Sequence, residues 1–242
     1  MLKRLRVGYK MRGYIPSYSP KSGAVSVILK RPLILCLAML LFCAAASAQK
    51  PTEGIDYLTL NPPQPTEAAG KVDVVEFFWY RCPHCYNLEP VLQDWLKKLP
   101  RDAQFRRVPA IFNEEWALDA RVFYTLEATG DLARLHSGLF EAIHQQGGVR
   151  LKGDAYLKWV AEWLGKQGID MAKYNGALRS FSVEAKLKRA MQTTQAYKID
   201  GVPAIGVQGR WMVSASLTGD RQAMMNVTDH LIGEARKRLA AK

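Results

Sequence analysis

Cysteine is scarce, with four in 242 residues, and two of these, Cys36 and Cys43, fall within the first 48 positions. Only Cys82 and Cys85 lie beyond. Histidine is equally rare. A structural zinc site wants four ligands. Cys82, Cys85 and His84 offer three within one strained loop. His136, His144 and His230 are scattered and read as helix-surface residues, so no metal is expected. Acidic residues are absent from positions 1–48, which hold eight Lys or Arg. Long apolar runs are missing too. The block at 33–45 is 13 residues, short of the ~20 that span a bilayer.

What fills that leader has an order of its own. Lys30-Arg31 precedes the apolar block, and Ala46-Ser47-Ala48 follows it, the pattern of a secretory signal peptide. Residues 1–48 read as a signal peptide with an N-terminal extension, cut after Ala48. Without those eight charges the net charge of +12 falls to about +4 (12 − 8). The remaining basic residues alternate with acidic ones, which gives no nucleic-acid patch. Export places the chain in an oxidising compartment, where two cysteines three apart read as a working pair.

The pair sits in Cys82-Pro83-His84-Cys85, between an apolar stretch at 72–80 and a helix-like stretch at 86–99. The first reads as a central strand covered on both faces. Cys82 falls near the N-cap of the following helix and Pro83 near its first position, where proline is favoured. A thiolate is the attacking species in disulfide exchange, and unpaired N–H groups at a helix start favour negative charge. Cys82 is therefore expected to be the exposed, attacked sulfur, and Cys85, one turn later, the buried resolving one. His84 adds hydrogen bonding or positive charge beside Cys82. Glu76 shares parity with Val72, Val74 and Phe78, so burial is expected, and burial makes a carboxylate hold its proton. Glu89 reads equally as a surface residue or a tuning group, and Arg106 or Arg107 is available to pair with either carboxylate. The dithiol itself is the redox group, and no cofactor is expected.

Elsewhere, residues 49–70 hold four prolines and read as an extended arm. Residues 103–109 read as a second strand. Four or five helical segments follow over 113–190, with Asp131, Asp154 and Ser182 as N-cap candidates. Strand texture returns at 203–207 and 211–215 around a Gln208-Gly209 turn, and a helix closes the chain over about 220–239. The order is βαβ, a helical block, then ββα. The fold class is α/β: one sheet formed by 71–112 and 191–242, interrupted by an all-helical insertion at 113–190.

The run Glu76-Phe77-Phe78-Trp79-Tyr80-Arg81-Cys82-Pro83-His84-Cys85-Tyr86 resembles the active-site segment of the DsbA family of periplasmic thiol:disulfide oxidoreductases. Gly201-Val202-Pro203-Ala204 resembles the loop in which thioredoxin-fold proteins set a cis-proline beside the dithiol, and the helical block matches the family's inserted domain. The resemblance implies a thioredoxin fold, a central mixed sheet flanked by helices. It implies a cis bond before Pro203, backbone hydrogen bonding of an extended substrate by Val202, and Glu76 as a proton acceptor below Cys85. Glu89 matches another charged position of the family. It further implies oxidation of cysteine pairs in unfolded or folding exported proteins, and reoxidation by a membrane-bound DsbB-type partner; a monomer is expected. A disulfide isomerase or reductase of the same fold is the alternative within enzymes, and a non-redox periplasmic peptide-binding chaperone the alternative outside them.

Overall fold

Seven residues of β2 (Val72–Phe78) are all buried, the pattern of a strand with both faces covered. It lies inside a five-stranded sheet, between β4 and the edge strand β3, in the order β1-β5-β4-β2-β3, with β1 at Leu58–Thr59, β3 at Ala103–Pro109, β4 at Ala204–Val207 and β5 at Trp211–Ser214. β3 runs parallel to β2; the β2–β4, β4–β5 and β1–β5 pairs are antiparallel. The sheet is mixed, as expected. The computed structural model describes residues 50–241 and, apart from these, Gly13. The expected signal peptide at 1–48 and its cleavage point lie outside the described residues. The chain divides into units 1–49 and 50–242, and every element here belongs to the second.

The helices are α1 (Pro83–Leu96), α2 (Glu114–Thr129), α3 (Leu132–Gln145), α4 (Gly153–Lys166), α5 (Met171–Leu178), α6 (Phe181–Ala196), α7 (Ala215–Thr218) and α8 (Arg221–Ala240). One face of the sheet carries Val72, Val74, Ile205, Val207 and Val213 against Leu88 and Leu92 of α1 and Met224 and Leu231 of α8. Burial of each such side chain is worth about 1.5–3 kcal/mol, and this packing fixes the start of α1 at the sheet's edge. Val75 and Phe77 lie in the second core with Phe123, Phe140, Tyr156 and Leu187 of the helical block.

The arm at 49–70 is held against the sheet: β1 within it pairs with β5, and Leu60 and Ala68 are buried. Its Gln64 N–H donates to the Gly209 carbonyl at 2.6 Å. A Cβ on Gly209, at φ +60°, would lie 1.9 Å from the Gln64 oxygen, so this turn requires glycine. Three expectations elsewhere need correction, a boundary and two caps. The boundary at 190/191 falls inside α6, which runs on to Ala196 because Leu187, Ala190 and Thr194 form one buried stripe. Two cap residues are displaced. Ser180, not Ser182, caps α6, and Asp154 stands within the first turn of α4, whose N-cap is Lys152. Asp131 does hold the N-cap position of α3, but its carboxylate binds Thr129 and Arg134 instead of the helix amides.

Candidate functional site

α1 begins where β2 ends, and Cys82 is its N-cap, with Pro83 at the first helical position. Both thiols are free. The Cys85 N–H donates to Cys82 Sγ at 3.4 Å, and the Cys82 thiol faces the Val202 carbonyl at 3.5 Å. Proline at the first turn leaves the later amides of the turn to aim at the sulfur. The hydrogen bond from the Cys85 side chain, opposed by partial burial and aided by the Cys85 and His84 amides and the His84 charge, lowers the Cys82 thiol from 9.0 to about 6. Burial pushes the Cys85 thiol well up, and its bond to Cys82 and the nearby Glu76 add to this.

The expected exposed sulfur is in fact largely covered: Cys82 is 6 % exposed against 0 % for Cys85. The loop carrying Val202 and Pro203 lies beside it, and the Val202–Pro203 peptide is cis. A second cis bond, Asn61–Pro62, had no sequence signal. The order of accessibility still separates the two sulfurs. His84 is exposed and belongs to the helix's first turn, not to a loop. With Val202, Pro203, Ser214, Ser216 and Arg221 it lines a cleft of about 380 Å³ beside the dithiol.

Beneath Cys85 lies a buried charge cluster. Glu76 is 1 % exposed, and β2–β3 register sets it level with Arg107. Arg107 Nε is 2.9 Å from Glu76 Oε2, and Arg107 Nη2 donates to Glu89 Oε1 at 3.0 Å. Arg107 is thus the partner of both carboxylates. Arg106, on the opposite face, pairs with Asp73 and Glu67. The Glu76 contact is close but misaligned, so both Glu76 oxygens and Arg107 Nε lack a hydrogen-bond partner. Burial pushes Glu76 up to about 7, and Arg107 only partly offsets it.

Glu89 is not a surface residue: it is buried, because α3 covers this face of α1. Its burial is overcome by the His136 hydrogen bond and the Arg107 charge, which hold it well below the usual carboxylate range. His136, expected on a helix surface, is buried as well. Its Nδ1 accepts from the Tyr80 hydroxyl at 2.8 Å, and its Nε2 lies 3.4 Å from Glu89 Oε1. His144 is half-buried, stacks on Tyr86 at 4.6 Å and donates Nε2–H to the Tyr80 carbonyl. One signal for His136 was present in the sequence: it shares the helical spacing of the buried Leu135, Leu139, Phe140 and Ile143. The Tyr80–His136 pairing had no local signal.

Residues 96–226 match the sequence family of the DSBA-like thioredoxin domain. The chain belongs to this family. The matched span begins beyond the dithiol, but the full-length relatives extend the likeness. The Thiol:disulfide interchange protein DsbA of Bordetella pertussis is 39% identical over 201 residues, 83% of this chain and 92% of that protein. Its namesake from Pseudomonas aeruginosa is 37% identical over 202 residues, 84% of this chain and 93% of that protein. The crystal structure of Pseudomonas aeruginosa DsbA superposes with a TM-score of 0.73 at 34% identity, covering 79% of this chain and 97% of that one. Reduced DsbA1 from Neisseria meningitidis gives 0.68 at 30% identity, covering 80% and 100%. As a DsbA-family member the chain has the thioredoxin fold with a helical insert and is a thiol:disulfide oxidoreductase.

Proposed function

We propose that the protein is a disulfide oxidase of the periplasm, acting on newly exported proteins with cysteine pairs. A client thiolate attacks Cys82 Sγ of the oxidised pair. The Cys82–Cys85 bond breaks, a client–Cys82 bond forms, and Cys85 leaves as a thiolate that takes up a proton from Glu76. A second client thiolate then attacks the client sulfur, and Cys82 leaves as a thiolate. The client loses two electrons and the pair gains them, so no soluble cofactor is needed. Val202 and Pro203, beside the cleft, bind extended client backbone. A membrane-bound DsbB-type partner reoxidises the pair. The chain reaches the periplasm through the signal peptide at 1–48 and works as a monomer.

The observation that carries this reading is the asymmetry of the two sulfurs. Cys82 is stabilised as a thiolate at the start of α1, whereas Cys85 is buried and holds its proton. Thiolate stabilisation favours the reduced pair and makes Cys82 a good leaving group. A redox titration against glutathione should give a potential well above the thiol-reductase range. A value near −270 mV, roughly that of a reductase, would sink the oxidase reading. Cys82→Ser should abolish client oxidation; activity surviving in it would favour a peptide-holding chaperone.

A further inference from the structure

The helical insertion contributes a group to the charge cluster beneath Cys85, and the reaction as described above does not use it. Tyr80 in the turn between β2 and α1, His136 on α3, Glu89 on α1, Arg107 on β3 and Glu76 on β2 form one contiguous chain of contacts. Its links are Tyr80 hydroxyl to His136 Nδ1 at 2.8 Å, His136 Nε2 to Glu89 at 3.4 Å, Glu89 to Arg107 at 3.0 Å and Arg107 to Glu76 at 2.9 Å. One neutral tautomer, with its proton on Nε2, satisfies both bonds of His136 at once. Burial depresses His136, which keeps the ring neutral. The two carboxylates of the chain differ. Glu89 is held by Arg107, His136 and Gln93, whereas Glu76 has no aligned donor.

We infer that His136 is a positioning residue: by holding Glu89 as an anion on Arg107, it keeps the nearby Arg107 from aligning its N–H groups on Glu76 and so leaves Glu76 able to carry the Cys85 proton. Arg107 is one cation between two carboxylates, and the partner that is better hydrogen-bonded takes its aligned N–H groups. Removing the His136 bond weakens Glu89's hold on Arg107, which is released to align with Glu76. That lowers the pH at which Glu76 gives up its proton. The groups facing Glu76 are Arg107 on β3 and Glu89 and Cys85 on α1, with Tyr80 and His136 acting through Glu89. Tyr80 and Cys85 hold their protons across the working range because burial raises both.

The inference rests on Cys85 being the resolving thiol. In resolution, Cys85 gives its proton to Glu76 and attacks Cys82 Sγ of a mixed disulfide. The Cys82–Cys85 bond forms, and the departing sulfur leaves as a thiolate that takes up a proton.

The test is stopped-flow oxidation of the reduced protein by saturating oxidised glutathione, where resolution limits the rate, between pH 4 and 9. His136→Phe should move the acid limb of the resolution rate to lower pH by roughly 0.5–1 unit. His136→Gln, which restores a donor to Glu89, should recover most of that shift. Alkylation of Cys82 by iodoacetamide should keep its wild-type midpoint in both. An acid limb that stays in place in a folded His136→Phe protein, or moves to higher pH, overturns the inference, as does failure of His136→Gln to recover. A wild-type protein that forms the glutathione adduct but never resolves it would overturn the dithiol reading itself, and this inference with it. Should His136→Phe not fold, Glu89→Gln serves instead, with the same shift expected and an unmoved limb equally fatal.

Discussion

Arg81, in the strand-to-helix corner, and Arg107, on β3, each stand against two carboxylates, and they are treated very differently. Arg81 is 4 % exposed, and all three of its nitrogens donate. Its Nε donates to Asp119, Nη1 to Glu115 and the Leu151 carbonyl, and Nη2 to the Glu115 carbonyl. Asp119 also accepts from the Trp79 indole at 2.7 Å and from the Tyr156 hydroxyl, and the guanidinium lies over the Tyr156 ring at 4.4 Å. Arg107 leaves Nε and both Glu76 oxygens unaligned. A satisfied buried network rigidifies a corner, whereas an incompletely satisfied one stores a proton-binding site. The first binds β2 to the helical insertion; the second lies under the sulfur that has to ionise.

The largest expected effect lies at the satisfied network. Arg81→Leu leaves Asp119 buried without its cation and should cost about 3–5 kcal/mol in urea unfolding. The Cys82 thiolate absorbance midpoint should stay within about half a pH unit. A small stability loss would erase the distinction between the two networks.

Next comes Glu76→Gln. The folded value of Glu76 is raised from 4.5 to about 7. A raised carboxylate contributes stability that is present below pH 4.5 and lost as pH rises through 7. The variant should therefore unfold with little of that slope and be more stable than wild type at pH 8, by up to about 3 kcal/mol. Equal slopes in both proteins would show that Glu76 is ordinarily paired.

Redox state supplies a third test. Cys82 is depressed to about 6 from 9.0, while Cys85 stays protonated. A depressed acid contributes stability above its unfolded value and loses it as pH falls through its folded one. The reduced protein's advantage over the disulfide form should grow from pH 6 to 9 in paired thermal melts. A flat difference would mean that the helix start does not hold the charge.

The smallest effect belongs to His84. Its contributions to Cys82 rank below those of Cys85, so His84→Ala should raise the thiolate midpoint by less than about one pH unit. A larger rise would transfer the tuning from the backbone to the imidazole.

Much of the fold was legible because its periods were clear. The doubly apolar stretch at 72–80 appears as a strand that ends two residues early, at Phe78, and the N-cap position of Cys82 and the 103–109 strand appear as read. Glu76 betrayed its burial by parity alone. The choice between Arg106 and Arg107 did not resolve, since it depends on which residue of β3 stands level with Glu76, and register is a property of the pair. His136 was misplaced, and Glu89 left undecided, for a related reason. Each is a polar side chain among apolar neighbours on its own helix, and only the packing of α3 on α1 brings the two together. The edge strand at Leu58–Thr59 was hidden by the surrounding prolines and shows only in its pairing with β5.

The sequence alone determined what depends on neighbours along the chain: two sulfurs one helical turn apart, a proline that starts the helix, and a strand with no polar face. Tertiary structure decided which charges meet. Hydrogen bonds need their atoms within about 3 Å and Coulomb energy rises as charges approach, and the residues concerned, 76, 89, 107 and 136, are brought together only when sheet, α1 and α3 close on one another.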